Sequence, residues 1–199
     1  MFGHIFGVLV NPQTEWEKMA AMPEKEVKKL LPYPILMALL PAIGFYVGTT
    51  SFGWAIGGGN VTRLTPESGI PLAVLFYLAL VGSVVFIGWM MDWMSKTYDA
   101  AFFPFKGIVL TGYALTPVFI AGLFALYPVW WFDLLLATAA CGYAIRLIYL
   151  GVPPMMKVSE DKGFMYASAV FMIALVYVVV VLVATVILWE YVATPVFVD

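Results

Sequence analysis

Apolar residues run almost unbroken through five stretches of this chain, roughly Tyr33 to Phe52, Gly69 to Met91, Ile108 to Leu126, Trp130 to Leu150 and Phe164 to Trp189. Each reaches the ~20 residues that a helix needs to cross ~30 Å of hydrocarbon. The pattern predicts an all-α polytopic membrane protein with five transmembrane helices. Ahead of the first span the pattern changes. Phe2, Ile5, Phe6, Leu9 and Val10 recur at helical spacing, with Gly3, His4 and Gly7 elsewhere, which predicts a short amphipathic helix lying on the membrane surface. Asn11-Pro12 has the form of an N-cap followed by proline at the first helical position. A second short helix then places Trp16, Met19 and Ala20 on one face. Pro23 opens a third piece, Glu24 to Leu31, which Pro32 and Pro34 separate from the first span. The expected division is an interfacial segment over 1–31 and a membrane domain over 32–199.

Composition supports the spans and removes alternatives. Hydrophobic residues are 63% of the chain and charged ones 11%, against ~25% charged in a soluble domain. A net charge of −2 disfavours nucleic acid as a partner. The single cysteine, Cys141, excludes an internal disulfide. The apolar start has neither a preceding basic residue nor a small-x-small cleavage site, so it does not have the form of a signal peptide.

The ten lysines and arginines gather on alternate loops. Lys18, Lys25, Lys28 and Lys29 precede the first span, Lys96 and Lys106 join the second to the third, and Lys157 and Lys162 join the fourth to the fifth. Arg146 lies just inside the same end, and only Arg63 falls on the other side. The bias predicts a cytoplasmic N-terminus and an external C-terminal tail from Tyr191 to Asp199. The longest external loop, around Gly57-Gly58-Gly59-Asn60, is expected to be flexible.

Ionisable groups within a membrane are functional candidates because an unpaired charge there costs several kcal/mol. Asp92 and Arg146 sit at similar depth in the second and fourth spans, so either they pair or Arg146 snorkels, with gating or substrate contact as the functional alternative. In the third span, Gly112-Tyr113-Ala114-Leu115-Thr116-Pro117 predicts a bend. Pro117 removes a backbone donor, and the freed carbonyl one turn earlier must be met by a neighbouring helix or by Thr116. Gly112 and Tyr113 are expected at the centre of the bundle, whereas Gly82 is expected on a less crowded surface. Nothing points to a cofactor or metal: His4 is the one histidine, and no His or Cys pair has ligand spacing. Hydrolase motifs are absent, so enzyme activity is not expected.

These features together resemble the Yip (Ypt-interacting protein) family, in its bacterial inner-membrane branch. The resemblance rests on Asn11-Pro12 with Trp16, on Gly112-Tyr113 with Pro117, on Tyr149-Leu150-Gly151-Val152-Pro153 closing the fourth span, and on the five-span order. Eukaryotic members bind Rab-type GTPases and help shape or sort membranes. This chain lacks their long polar N-terminal region and Asp-Leu-x-Gly-Pro pattern, so Rab binding is not carried over. The resemblance implies a non-enzymatic membrane organiser or scaffold whose partners are the lipid bilayer and a second copy or another membrane protein. The alternative is a small transporter or channel for an uncharged or lipid-like substrate. Ion transport is disfavoured because mid-depth polarity is limited to hydroxyls such as Thr111, Tyr113, Thr116, Thr138 and Tyr143.

Overall fold

The computed structural model describes residues 3–55, 59–101 and 104–198. Phe2, Gly57, Gly58 and Asp199, which figure in the expectations above, lie outside the described residues. The chain is an all-α polytopic membrane protein. Among the described residues, ten α-helices follow in order: α1 (Gly3–Val10), α2 (Pro12–Ala20), α3 (Glu24–Lys28), α4 (Pro32–Met37), α5 (Leu39–Val47), α6 (Pro66–Met94), α7 (Lys106–Ala114), α8 (Thr116–Gly122), α9 (Trp130–Met156) and α10 (Glu160–Tyr191). Four stretches, at Glu24–Phe52, Pro66–Tyr98, Trp130–Met156 and Glu160–Tyr191, are long and apolar enough to cross a membrane. The pair Lys106–Ala114 and Thr116–Leu126, bent by 43° at Leu115, is together long and apolar enough to be a fifth candidate span.

Local chemistry sets the boundaries. Thr65 caps α6 by accepting the Ser68 amide at 3.4 Å, Pro66 opens the first turn, and Glu67 complements the helix dipole. Asn11 occupies the N-cap position of α2 with Pro12 behind it, but its side chain makes no cap hydrogen bond. Lys157, in the left-handed conformation at φ 53°, stops α9. Pro153 does not close that span: α9 continues past it to Met156.

The bend in the third span falls where Pro117 places it. Leu115 separates α7 from α8, and Pro117 lies in the first turn of α8. The Thr116 hydroxyl donates to the Tyr113 carbonyl at 2.6 Å, satisfying the acceptor that the proline leaves without an amide.

The core lies toward one end. It combines Val8, Trp16 and Met19 of the N-terminal helices with Tyr33, Leu110, Tyr113, Leu147, Val152, Met155, Tyr166 and Val170 of the spans. At the opposite end, Phe197–Val198 pairs antiparallel with Arg63–Leu64, and Trp54 bridges to Thr62. The C-terminal tail is therefore held against the loop that precedes α6.

Candidate functional site

The residues singled out by the sequence converge on the contact between the N-terminal helices and the bundle. Gly112 faces Pro34, and a Cβ added there would lie 3.0 Å from the proline ring. That absence of a side chain lets α4 approach α7 closely enough for Tyr33 to stack on Tyr113, with ring centroids 4.0 Å apart and planes within 7°. Tyr33 also bonds to the Thr116 hydroxyl at 2.7 Å. Because Thr116 gives its hydrogen to the Tyr113 carbonyl, Tyr33 is the donor of that pair. Tyr33, Tyr113 and Thr116 all have no exposed surface. Gly112 and Tyr113 do sit at the bundle centre. Gly82 is less open than expected, with the Tyr177 hydroxyl 2.8 Å from the place of a Cβ.

Gly151 plays the same part on α9. A Cβ there would stand 2.9 Å from the Trp16 ring, so the bare glycine receives the indole of α2. Trp16 is fully buried, and its Nε1 has no partner among the described residues. Pro153 lies against Gly163 at the turn from α9 to α10.

Two residues that sequence reasoning passed over complete the centre. His4 Nδ1 lies 2.5 Å from Glu15 Oε1, and Lys18 donates to the other carboxylate oxygen at 3.2 Å. The His4 ring meets Tyr113 edge-on at 6.1 Å. Burial by itself would raise the Glu15 pKa, but the hydrogen bonds from His4 and Lys18 outweigh it and hold the carboxyl below its ordinary range. The apolar side of α1 faces outward as expected, but its polar side is not turned to solvent. Its polar side, with His4 and Gly7, faces Glu15 inside the molecule, while Phe6 and Val10 point outward. The signal was present as a polar stripe on a short helix followed by an acidic second helix; the pairing of His4 with a residue eleven positions away was not legible.

The N-terminal segment is pinned at two further points. Tyr143 donates to the Leu9 carbonyl at 2.7 Å, and the buried Lys106 donates to the Ala20 carbonyl at 2.9 Å. Of the hydroxyls that the sequence placed in the spans, Thr116 and Tyr143 thus bond between helices, whereas Thr138 donates to the Leu134 carbonyl of its own helix.

Asp92 and Arg146 do not pair. The Asp92 carboxylate accepts the amides of Phe105 at 3.2 Å and Gly107 at 3.0 Å, acting from α6 as the cap of α7. Arg146 is exposed on α9 and lies over the Tyr143 ring, 5.5 Å from its centroid. The physical reason is packing order: α6 lies along α7, whereas the face of α9 that carries Arg146 looks away from the bundle. Among the described residues, no group of three or more His, Cys, Asp or Glu is placed to hold a metal ion.

Residues 6–182 match the Yip1 domain family. The inner membrane protein YohC of Escherichia coli K12 is 34% identical over 188 residues, covering 94% of this chain and 96% of that protein. The protein of the same name from Escherichia coli O6:H1 matches to the same extent. No solved structure matches the chain. With the family match extending from α1 into α10, and the centre built from the residues that carry the resemblance, this chain belongs to the Yip1 domain family.

Proposed function

We propose that this protein is a non-enzymatic organiser of the membrane, acting through helix contacts and through the face that its N-terminal helices cover. The observation that carries the reading is the filled centre. Tyr33, Tyr113 and Thr116 are fully buried and stacked or hydrogen-bonded at the bend of the third span, where a transporter needs a hydrated or substrate-sized path. Around that closed centre stand spans with long apolar faces. From residue 171 to the end of α10 no residue is buried, which leaves a surface for lipid, a second copy or another membrane protein. In this reading residues 1–31 form a cytoplasmic strap and 32–199 the membrane domain, with the N-terminus inside and the C-terminus outside. The basic-residue bias supports that orientation.

The second reading is transport of an uncharged or lipid-like molecule. In its favour is an apolar cleft of about 230 Å³ between α5, α6 and α10, lined by Phe45, Phe76 and Trp189 among others.

Photocrosslinking in native membranes separates the two. A crosslinker at Val179 or Val183 on α10 is expected to capture a discrete protein adduct, and proteoliposomes are expected to leak no faster than empty vesicles. Adducts with lipid alone, together with substrate-dependent flux, would replace the organiser with the transporter. A reporter active only in the cytoplasm, fused after Asp199, is expected to be silent.

A further inference from the structure

A cavity of about 600 Å³ opens at the end of α6, apart from the buried centre. Its wall carries Trp89, Asp92, Trp93, Ser95, Lys96 and Phe105. Trp89, Asp92, Trp93 and Lys96 follow the spacing of one helical face, so α6 and the turn after it present two indoles, a carboxylate and an ammonium to the same space. Both tryptophans are more than half exposed. They lie at the end of a membrane span, the depth at which indoles meet headgroups.

Three polar groups there retain capacity for a ligand. Ser95 is only 1% exposed, yet its hydroxyl has no partner among the described residues. A buried hydroxyl left unpaired is uncommon and calls for an occupant. Lys96 is exposed and makes no ion pair among the described residues. Asp92 uses one lone pair on each oxygen to cap α7, and a carboxylate offers about four acceptor sites. The tight crossing of α6 and α7 fixes this carboxylate, because Gly88 and Gly107 have backbone against backbone where any side chain would collide.

We propose that this cavity binds the headgroup of an amine-bearing, zwitterionic phospholipid. Its ammonium lies against Asp92 and the faces of Trp89 and Trp93, and its phosphate is held by Lys96 and the Ser95 hydroxyl. An ammonium donates to a carboxylate, and an anionic phosphate complements a free lysine, so one zwitterion satisfies both charges. A lipid fits better than a soluble phosphate ester because exposed Val85, Phe86 and Trp89 continue along α6 from the cavity, giving the acyl chains an apolar track.

Native mass spectrometry of the full chain in mild detergent tests the site, with phosphatidylethanolamine, phosphatidylglycerol or soluble phosphoethanolamine as the probe. The parent protein is expected to retain one phosphatidylethanolamine about tenfold more strongly than phosphatidylglycerol, the scale of one charge-assisted hydrogen bond. Lys96→Gln and Trp93→Ala are each expected to weaken retention of phosphatidylethanolamine, and Asp92→Asn to abolish the preference over phosphatidylglycerol. Because Asp92 also caps α7, its variant can fail to fold; Lys96 and Trp93 are exposed, and their variants keep the test decisive. Equal retention of the two lipids by the parent protein would overturn the proposal. So would unchanged retention in Lys96→Gln and Trp93→Ala. Displacement of the lipid by phosphoethanolamine at matching concentration would overturn the assignment to a lipid.

Discussion

The two ends of this bundle are built on different terms. Toward the end that carries the N-terminus, α7 is buried at every residue but Ile108, all the buried residues of α9 fall between Ala140 and Met156, and those of α10 fall between Gly163 and Val170. Toward the other end, residues 130–139 of α9 and 171–191 of α10 contain no buried residue. Composition does not separate the two ends, since apolar residues fill the spans throughout. Lipid is as apolar as leucine and gives helices no hydrophobic reason to associate. Association in the membrane therefore needs close approach and hydrogen bonds, and this chain supplies both at one end. Glycines admit Pro34 and Trp16. Tyrosines reach across to backbone carbonyls, Tyr143 to Leu9 and Tyr166 to Met91. The N-terminal helices add a further layer there through Val8, Trp16, Met19 and Val27.

Truncation should have its largest effect on the packed end. Trp16→Ala is expected to cost about 3–5 kcal/mol, the range for emptying a buried aromatic site. Leu182→Ala, on the exposed part of α10, is expected to leave the melting temperature of the purified protein almost unchanged. Equal losses in the two variants would erase the distinction between the ends.

Added bulk should follow the same division. Gly112→Leu must displace Pro34 and disturb the Tyr33–Tyr113 stack, at about 1–3 kcal/mol for overpacking. Gly142, with nothing within 4 Å of a Cβ, is the matched control on α9, and Gly142→Leu is expected to match the parent in thermal stability. A Gly112→Leu protein as stable as the parent would place the third span against lipid.

A smaller effect depends on pH. His4 and Lys18 hold the folded pKa of Glu15 below the ordinary 4.5 of a glutamate carboxyl, the value that applies to the unfolded chain. Its contribution to stability is therefore present above that value and is lost as pH falls through the folded pKa. Melting temperatures measured downward from about pH 6 should fall on the acid side for the parent and fall less for Glu15→Gln. Parallel acid limbs would mean that the Glu15 cluster adds nothing to the fold.

Much of this architecture was readable from the chain. The spans follow from apolar length, and the bend follows from Pro117, because a missing amide has the same consequence wherever it occurs. The glycine contact at Gly112 was readable for the same reason. Partners distant in sequence were not. Asp92 and Arg146 share a depth, but depth does not fix azimuth: Asp92 turned to the start of α7 and Arg146 turned outward. His4 stands in the sequence as a lone histidine near a terminus, and nothing in the order of residues says that α1 folds its polar side onto Glu15. The surface expected for α1 rested on the rule that an amphipathic helix gives its apolar face to the membrane; Phe6 and Val10 follow that rule, and the opposite face found a polar partner in the protein.

The central claim is that the N-terminal helices are part of the packed end and not a loosely tethered surface segment. Amide hydrogen exchange across α2 tests it most directly. This helix carries Gln13, Glu17 and Lys18 and is too polar to be shielded by lipid, so slow exchange there reports packing. The account predicts that amides around Trp16 and Met19 exchange as slowly in bilayer discs as those near Leu147 and Val152 of α9, and that Trp16→Ala releases them. Rapid exchange across α2 in the parent protein, matching that of its exposed loops, would contradict it.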